Sequence, residues 1–214
     1  MLNLSPNLLI SRILTLIIAL TIHEFSHAFV ADRFGDTTAR SAGRLTLNPL
    51  KHLDVFGSLM LLMVGFGWAK PVPVNPYALR KHSDSAFMWV SLAGPASNLM
   101  LAILAGVLLR LRIFPFVASS GFLPSPAEFL YTFLTINLLL MLFNMIPLAP
   151  LDGEKVASFL VPERFRQGFA RVQQYGPLLL MVLLFVLPMA GIDLIGWVMN
   201  PALNQLQKFI LGVG

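Results

Sequence analysis

The chain has 214 residues, 57% hydrophobic and 12% charged, with a mean hydropathy of +0.77, which lies well outside the range of soluble domains and implies a polytopic membrane protein. Its net charge of +5 comes from basic residues spread over short loops, which fits a rim against anionic headgroups and argues against a nucleic-acid partner. There is no cysteine, which excludes disulfides, thiolate metal sites and cysteine nucleophiles.

After a short tail, Leu8 to Val30 is long enough to cross ~30 Å of hydrocarbon as a helix. It lacks a lysine-rich start and a small-residue cleavage site, so it is expected to be a membrane helix and not a signal peptide. Charge and glycine at Asp32-Arg33-Phe34-Gly35 should stop it. Its last third holds His23-Glu24-Phe25-Ser26-His27, an HExxH motif. On a helix the two histidines lie one turn apart on one face, so both imidazoles can reach one ion, and Glu24 can accept a proton from a metal-activated water. The bland alternative is a pair of packed histidines with a paired glutamate. Three ionisable groups at membrane depth weigh against it, because they are costly there unless they serve a function.

Asp36 to Pro49, with the alternation Arg44-Leu45-Thr46-Leu47, reads equally as one or two short strands or as a loop. Val55 to Trp68 is apolar but short and glycine-rich, and Pro71, Pro73 and Pro76 prevent a helix from continuing. Val55 to Pro76 is therefore expected to dip into the membrane and return, lining a cavity that satisfies its backbone. Ser85 to Leu109, interrupted at its start by Gly94-Pro95, Phe129 to Ile146 and Leu178 to Val198 read as further spans, the last loosened by Pro188 and Gly191, and Asn200 to Gly214 as an amphipathic interfacial tail. The expected fold is thus an all-α polytopic membrane protein with about four spanning helices, a re-entrant segment and a small membrane-associated β-ribbon. It forms one domain over 1–214, with a core of about 8–160 and an extra helix and tail over 176–214.

Charge asymmetry tests this layout. With Val55 to Pro76 re-entrant, Arg33, Arg40, Arg44, Lys51, Lys70, Arg80, Lys81, Lys155, Arg164, Arg166 and Arg171 all fall inside. Arg12, Arg110, Arg112 and Lys208 fall outside. A full span at 55–76 would abolish that bias, so the positive-inside rule favours re-entry and puts the motif and Asp152 at the cytoplasmic side.

A catalytic zinc takes three protein ligands and keeps one position open. The candidates for the third are His52, Asp54, His82, Asp152 and Asp193. Asp152 lies in a proline-broken turn after a long apolar helix, where a carboxylate can reach into the bundle; the competing role is to cap the next helix. His52, Asp54 and His82 are expected to face solvent or headgroups, and Asp193 to lie near the outer face. Asn98 and Asn144 are amides within spans, suited to helix–helix hydrogen bonds; Asn144 could instead bind an oxyanion.

HEFSH in a membrane helix, Gly94-Pro95-Ala96-Ser97-Asn98, and Asn144-Met145-Ile146-Pro147 through Pro150-Leu151-Asp152-Gly153 together resemble the site-2 protease family of intramembrane zinc metallopeptidases. Gly43-Arg44-Leu45-Thr46-Leu47-Asn48-Pro49 with Lys70-Pro71-Val72-Pro73-Val74 is similar to its compact prokaryotic branch. The resemblance covers about residues 20–160. It implies one zinc per chain on His23, His27 and Asp152, with Glu24 as general base and Asn144 holding substrate or oxyanion. It further implies that strand regions within 36–50 and 70–76 pair with extended substrate, with Arg44, Thr46, Asn48 and Asn98 as substrate contacts. The partners would be a transmembrane protein or peptide and the lipid bilayer, in a prokaryotic cell membrane. Neither a PDZ nor a CBS domain fits within these residues, which departs from many relatives. Rival readings are a metal transporter or sensor, an inactive scaffold, and a hydrolase of lipid or isoprenylated peptide. The outer half of the first helix offers almost no ligands for transport, and an intact Glu24 argues against a dead relative.

Overall fold

A computed structural model describes residues 5–54, 56–57, 69–115 and 121–212. Helix α1 runs over Pro6–Arg33, with proline in its first turn and Arg33 in its last. Hydrogen bonds from Gly35 N to Asp32 O and from Asp36 N to Ala31 O close its end, at the stop expected from sequence. A four-residue helix α2 (Thr38–Ser41) and a 3₁₀ turn at Pro49–Lys51 follow. Then come α3 (Pro76–His82), α4 (Ala86–Arg110), α5 (Pro126–Asn144), α6 (Asp152–Leu160), α7 (Glu163–Gln174), α8 (Gly176–Met189) and α9 (Leu194–Leu211).

Helices α1, α4 and α5 are long and apolar enough to cross a membrane, and α7 with α8, bent by 59°, forms a fourth candidate span. Their packing is inverted relative to a soluble bundle. On α1 the buried face carries Ser11, Thr15, Ala19 and His23, while Leu14, Ile18 and Phe29 are exposed. On α4 the buried face carries Gly94, Asn98, Ala102 and Ala105, while Met100, Ile103, Leu104 and Val107 face outward. Small and polar residues let the helices approach closely, and the large apolar ones suit lipid. A capping box, Ser125 with Glu128, starts α5 and fixes where the third wall begins.

Two expectations need correction. The β-ribbon is not formed: among the described residues there is no sheet, only an isolated antiparallel bridge between Leu53 and Ala69. Local turn chemistry overrides the alternating pattern. Asp36 Oδ1 accepts from Thr38 N and Asn48 Oδ1 from Leu50 N, which winds both ends of the stretch into turns. The bridge joins Leu53, just before the segment expected to re-enter, to Ala69 within it; residues 55 and 58–68 of that segment lie outside the described residues. The second correction concerns Leu178 to Val198. Instead of one span, α8 ends at Met189, Gly191 turns, and the Asp193 side chain caps α9 through Gly196 N. Leu203, Leu206 and Ile210 of α9 pack against the core of Ala102, Ala105, Phe133, Leu134 and Leu138, where an interfacial tail was expected.

Candidate metal centre

His23 and His27 project from α1 toward α4 and the start of α6. Their Nε2 atoms lie 3.0 Å apart, and each is 3.2 Å from Asp152 Oδ2. Among the described residues this is the group whose donor atoms converge closely enough to hold a metal. Asp152 opens α6 without capping it: the helix has no side-chain cap, and the carboxylate turns to the imidazoles instead. His52, Asp54, His82 and Asp193 do not join the group.

The hydrogen-bond network fixes which nitrogens face inward. The Phe133 carbonyl can only accept, so Asn137 Nδ2 donates to it at 2.8 Å. Asn137 Oδ1 then accepts from Asn98 Nδ2 at 2.9 Å, and Asn98 Oδ1 accepts from His23 Nδ1 at 2.7 Å. Likewise His27 Nδ1 donates to the Val90 carbonyl at 2.7 Å. In the neutral rings both Nε2 atoms are therefore lone pairs, and they face each other and a carboxylate oxygen with no hydrogen between them. Three lone pairs in a buried corner repel unless a cation lies among them. A tetrahedral ion with bonds of ~2.0–2.2 Å holds its donors roughly 3.3–3.6 Å apart, a few tenths of an ångström wider than the spacing found, so the residues fit a zinc-type ion.

Gly94 explains how two imidazoles fit against α4. A Cβ there would lie 2.6 Å from His23 Nε2 and still closer to His27 Nε2. Sequence reading took Gly94 as a helix interruption, yet the helix continues through it and its missing side chain is the space the donors occupy. Gly94→Ala is expected to displace both rings and weaken zinc affinity by at least ~10-fold, the low end for losing outer support. Competition titration with a zinc chelator checks it, and unchanged affinity would refute this account of Gly94. Gly153 plays a similar part for the aspartate: a Cβ would lie 2.5 Å from Ile146 O, so α6 can begin against the end of α5 only without one.

Glu24 Oε2 accepts from Val72 N at 2.9 Å, so the stretch 70–75 lies beside Glu24. This stretch is strapped down along its length. Lys70 N donates to His52 O at 2.8 Å, Arg44 Nη2 donates to Lys70 O, and Asn75 N donates to Asp36 Oδ2 at 2.6 Å. His52, expected at the surface, is fully buried and bonds Thr46 O through Nε2. Asp54 accepts from Gly57 N, and His82 ends α3 against Gly35.

A cavity of ≈ 1170 Å³ runs from the triad and Glu24 between α1, α5, α8 and α9. Asn144 lines it, with Nδ2 donating to Leu140 O at 2.9 Å. Asn98, Arg44, Thr46 and Asn48 do not line it: Asn98 supports His23, Arg44 holds the 70–75 strap, Thr46 O accepts from His52, and Asn48 caps a turn. Residues that sequence reasoning missed include Asn137, an amide in an apolar span, and Gln173. Gln173 accepts from Ala149 N at 2.7 Å and donates to Pro147 O at 3.1 Å, bracing the loop that leads to Asp152.

The sequence profile of peptidase family M50 matches residues 117–187, a stretch with Asn144 and Asp152 but without the two histidines. A Bacillus subtilis (strain 168) protein whose name reads "Putative zinc metalloprotease YwhC" is 42% identical over 211 residues, 98% of this chain and 91% of its own length. Rip2 of Mycolicibacterium smegmatis, named as a zinc metalloprotease in the same words, is 37% identical over 172 residues, 78% of this chain and 64% of its own. Rip2 of Mycobacterium tuberculosis (strain H37Rv) is 33% identical over 187 residues, 85% of this chain and 67% of its own. No solved structure matches the chain.

Proposed function

The chain belongs to peptidase family M50, the site-2 protease family of zinc metalloproteases, and from that premise we propose that it hydrolyses peptide bonds of transmembrane substrates within the membrane. It is an integral membrane protein, and a protein or peptide substrate follows from the chemistry of its family. The observation that carries the finer reading is the convergence of three lone-pair atoms, 3.0–3.2 Å apart, at one end of a cavity walled by apolar spanning helices.

In this reading His23, His27 and Asp152 hold one zinc per chain. The ion supplies a Lewis acid that brings the pKa of a water toward ~7. Glu24 removes a proton from the attacking water at its carboxylate and returns it to the leaving amine nitrogen, which lets the carbon–nitrogen bond break without expelling a free amide anion. Asn144, on the cavity wall, donates toward the carbonyl oxygen as it gains charge. Asn98 and Val90 hold the imidazoles in one tautomer and orientation through the reaction. A helical substrate hides its amides in its own hydrogen bonds, so it must unwind locally beside the triad. The charge asymmetry of the loops supports a site toward the cytoplasmic face.

The test is metal removal. Dialysis against a strong zinc chelator is expected to abolish cleavage of a reporter transmembrane peptide, and stoichiometric zinc to restore it, while calcium or magnesium does not. Cleavage that continues at full rate in the metal-free chain would exclude the mechanism.

A further inference from the structure

Arg12, Leu16, Leu20, His23 and His27 follow one another on α1 at intervals of three or four residues, so they share one face, and all five line the cavity. Arg12 precedes His23 by eleven residues, about 16 Å along the helix axis. The wall between them is apolar, formed by Ile13, Leu16 and Leu20. Across the cavity α5 contributes Tyr131, Thr132 and Thr135. Arg12 is half-buried and has no anionic partner among the described residues. An arginine in a spanning helix is costly unless an anion answers it. One directed at lipid headgroups would stand on the outward stripe with Leu14 and Ile18, whereas Arg12 stands on the inward stripe with the metal donors.

We propose that Arg12 is a specificity determinant that pairs with an aspartate or glutamate carboxylate on the transmembrane substrate. The inference rests on the peptidase reading above. The acidic residue would lie about seven to eleven residues on the outer side of the cut bond, the lower figure applying if several residues next to the bond are extended.

The experiment uses the full chain in phosphatidylcholine vesicles with zinc bound. Reporter transmembrane peptides carry a single Glu or Gln at each position from about four to fourteen residues outside the cut bond, about one helical turn on either side of the expected contact. The readout is the ratio of kcat/KM for the Glu peptide to that for its Gln twin. Wild type is expected to favour Glu on the order of tenfold within the seven-to-eleven window and nowhere else. Arg12→Gln should bring that ratio to about one, and Arg12→Lys should keep much of it. Absence of any positional preference in wild type overturns the proposal, as does a ratio that survives in Arg12→Gln. If Arg12→Gln slows both twins alike, and the loss changes when phosphatidylglycerol is added to the vesicles, Arg12 anchors α1 in headgroups and the proposal fails. A zinc-loaded wild type that cuts no peptide sinks the peptidase reading as well; one that cuts all peptides equally sinks the Arg12 contact alone.

Discussion

Replacing Asp152 with alanine is expected to yield a folded chain that no longer retains zinc and cleaves nothing. The argument starts from local structure. Asp152 makes no capping bond to α6, so its removal leaves the helix terminus as it is. Its carboxylate supplies one corner of the triad, 3.2 Å from each imidazole nitrogen. Loss of an outer-shell partner typically weakens a metal site roughly 10–100-fold, and loss of a direct donor with its negative charge should exceed that. Metal content by mass spectrometry and helicity by circular dichroism separate the two effects. Zinc retained at the wild-type level would remove Asp152 from the donor set and reopen the search for a third ligand.

Glu24→Gln should do the opposite: full zinc content with almost no turnover. The glutamine oxygen can still accept from Val72 N, so the strap keeps its contact and the side chain its volume. What disappears is the ability to take a proton. General acid–base groups contribute roughly 10²–10⁴-fold, and kcat should fall by that factor while KM changes little. A kcat within a few-fold of wild type would show that the proton goes elsewhere.

The membrane class, three of the long helices and the residues that converge at the candidate site were legible in the sequence because each breaks a strong background. Ionisable groups at His23, Glu24 and His27 stand out in an apolar run, and the turn at Pro147–Gly153 interrupts one. Roles that depend on space and not on residue type were hidden. Gly94 reads as a helix breaker until two imidazoles are seen against it. Asn98 reads as a helix-packing amide, and only the relay through Asn137 shows that it orients His23. The strands expected around Arg44 to Leu47 failed because Asp36 and Asn48 accept from nearby backbone amides more readily than four alternating residues can find a partner strand. His52 was expected to face solvent or headgroups, since loop position says nothing about burial under a strap.

That strap has a further consequence. Positions 71, 73 and 76 are prolines and offer no N–H. The amides of Lys70, Val72 and Asn75 are committed to His52, Glu24 and Asp36, leaving Val74 as the one amide without a partner among the described residues. An edge so poor in donors makes a weak template for an incoming strand, which limits how far a backbone ladder there could hold an unwound substrate. The same poverty guards against misassembly. Copies of the chain are confined to two dimensions and meet often, and an extended loop with free amides would invite them to zip together. Three prolines and three satisfied amides leave this stretch little to offer a neighbouring strand.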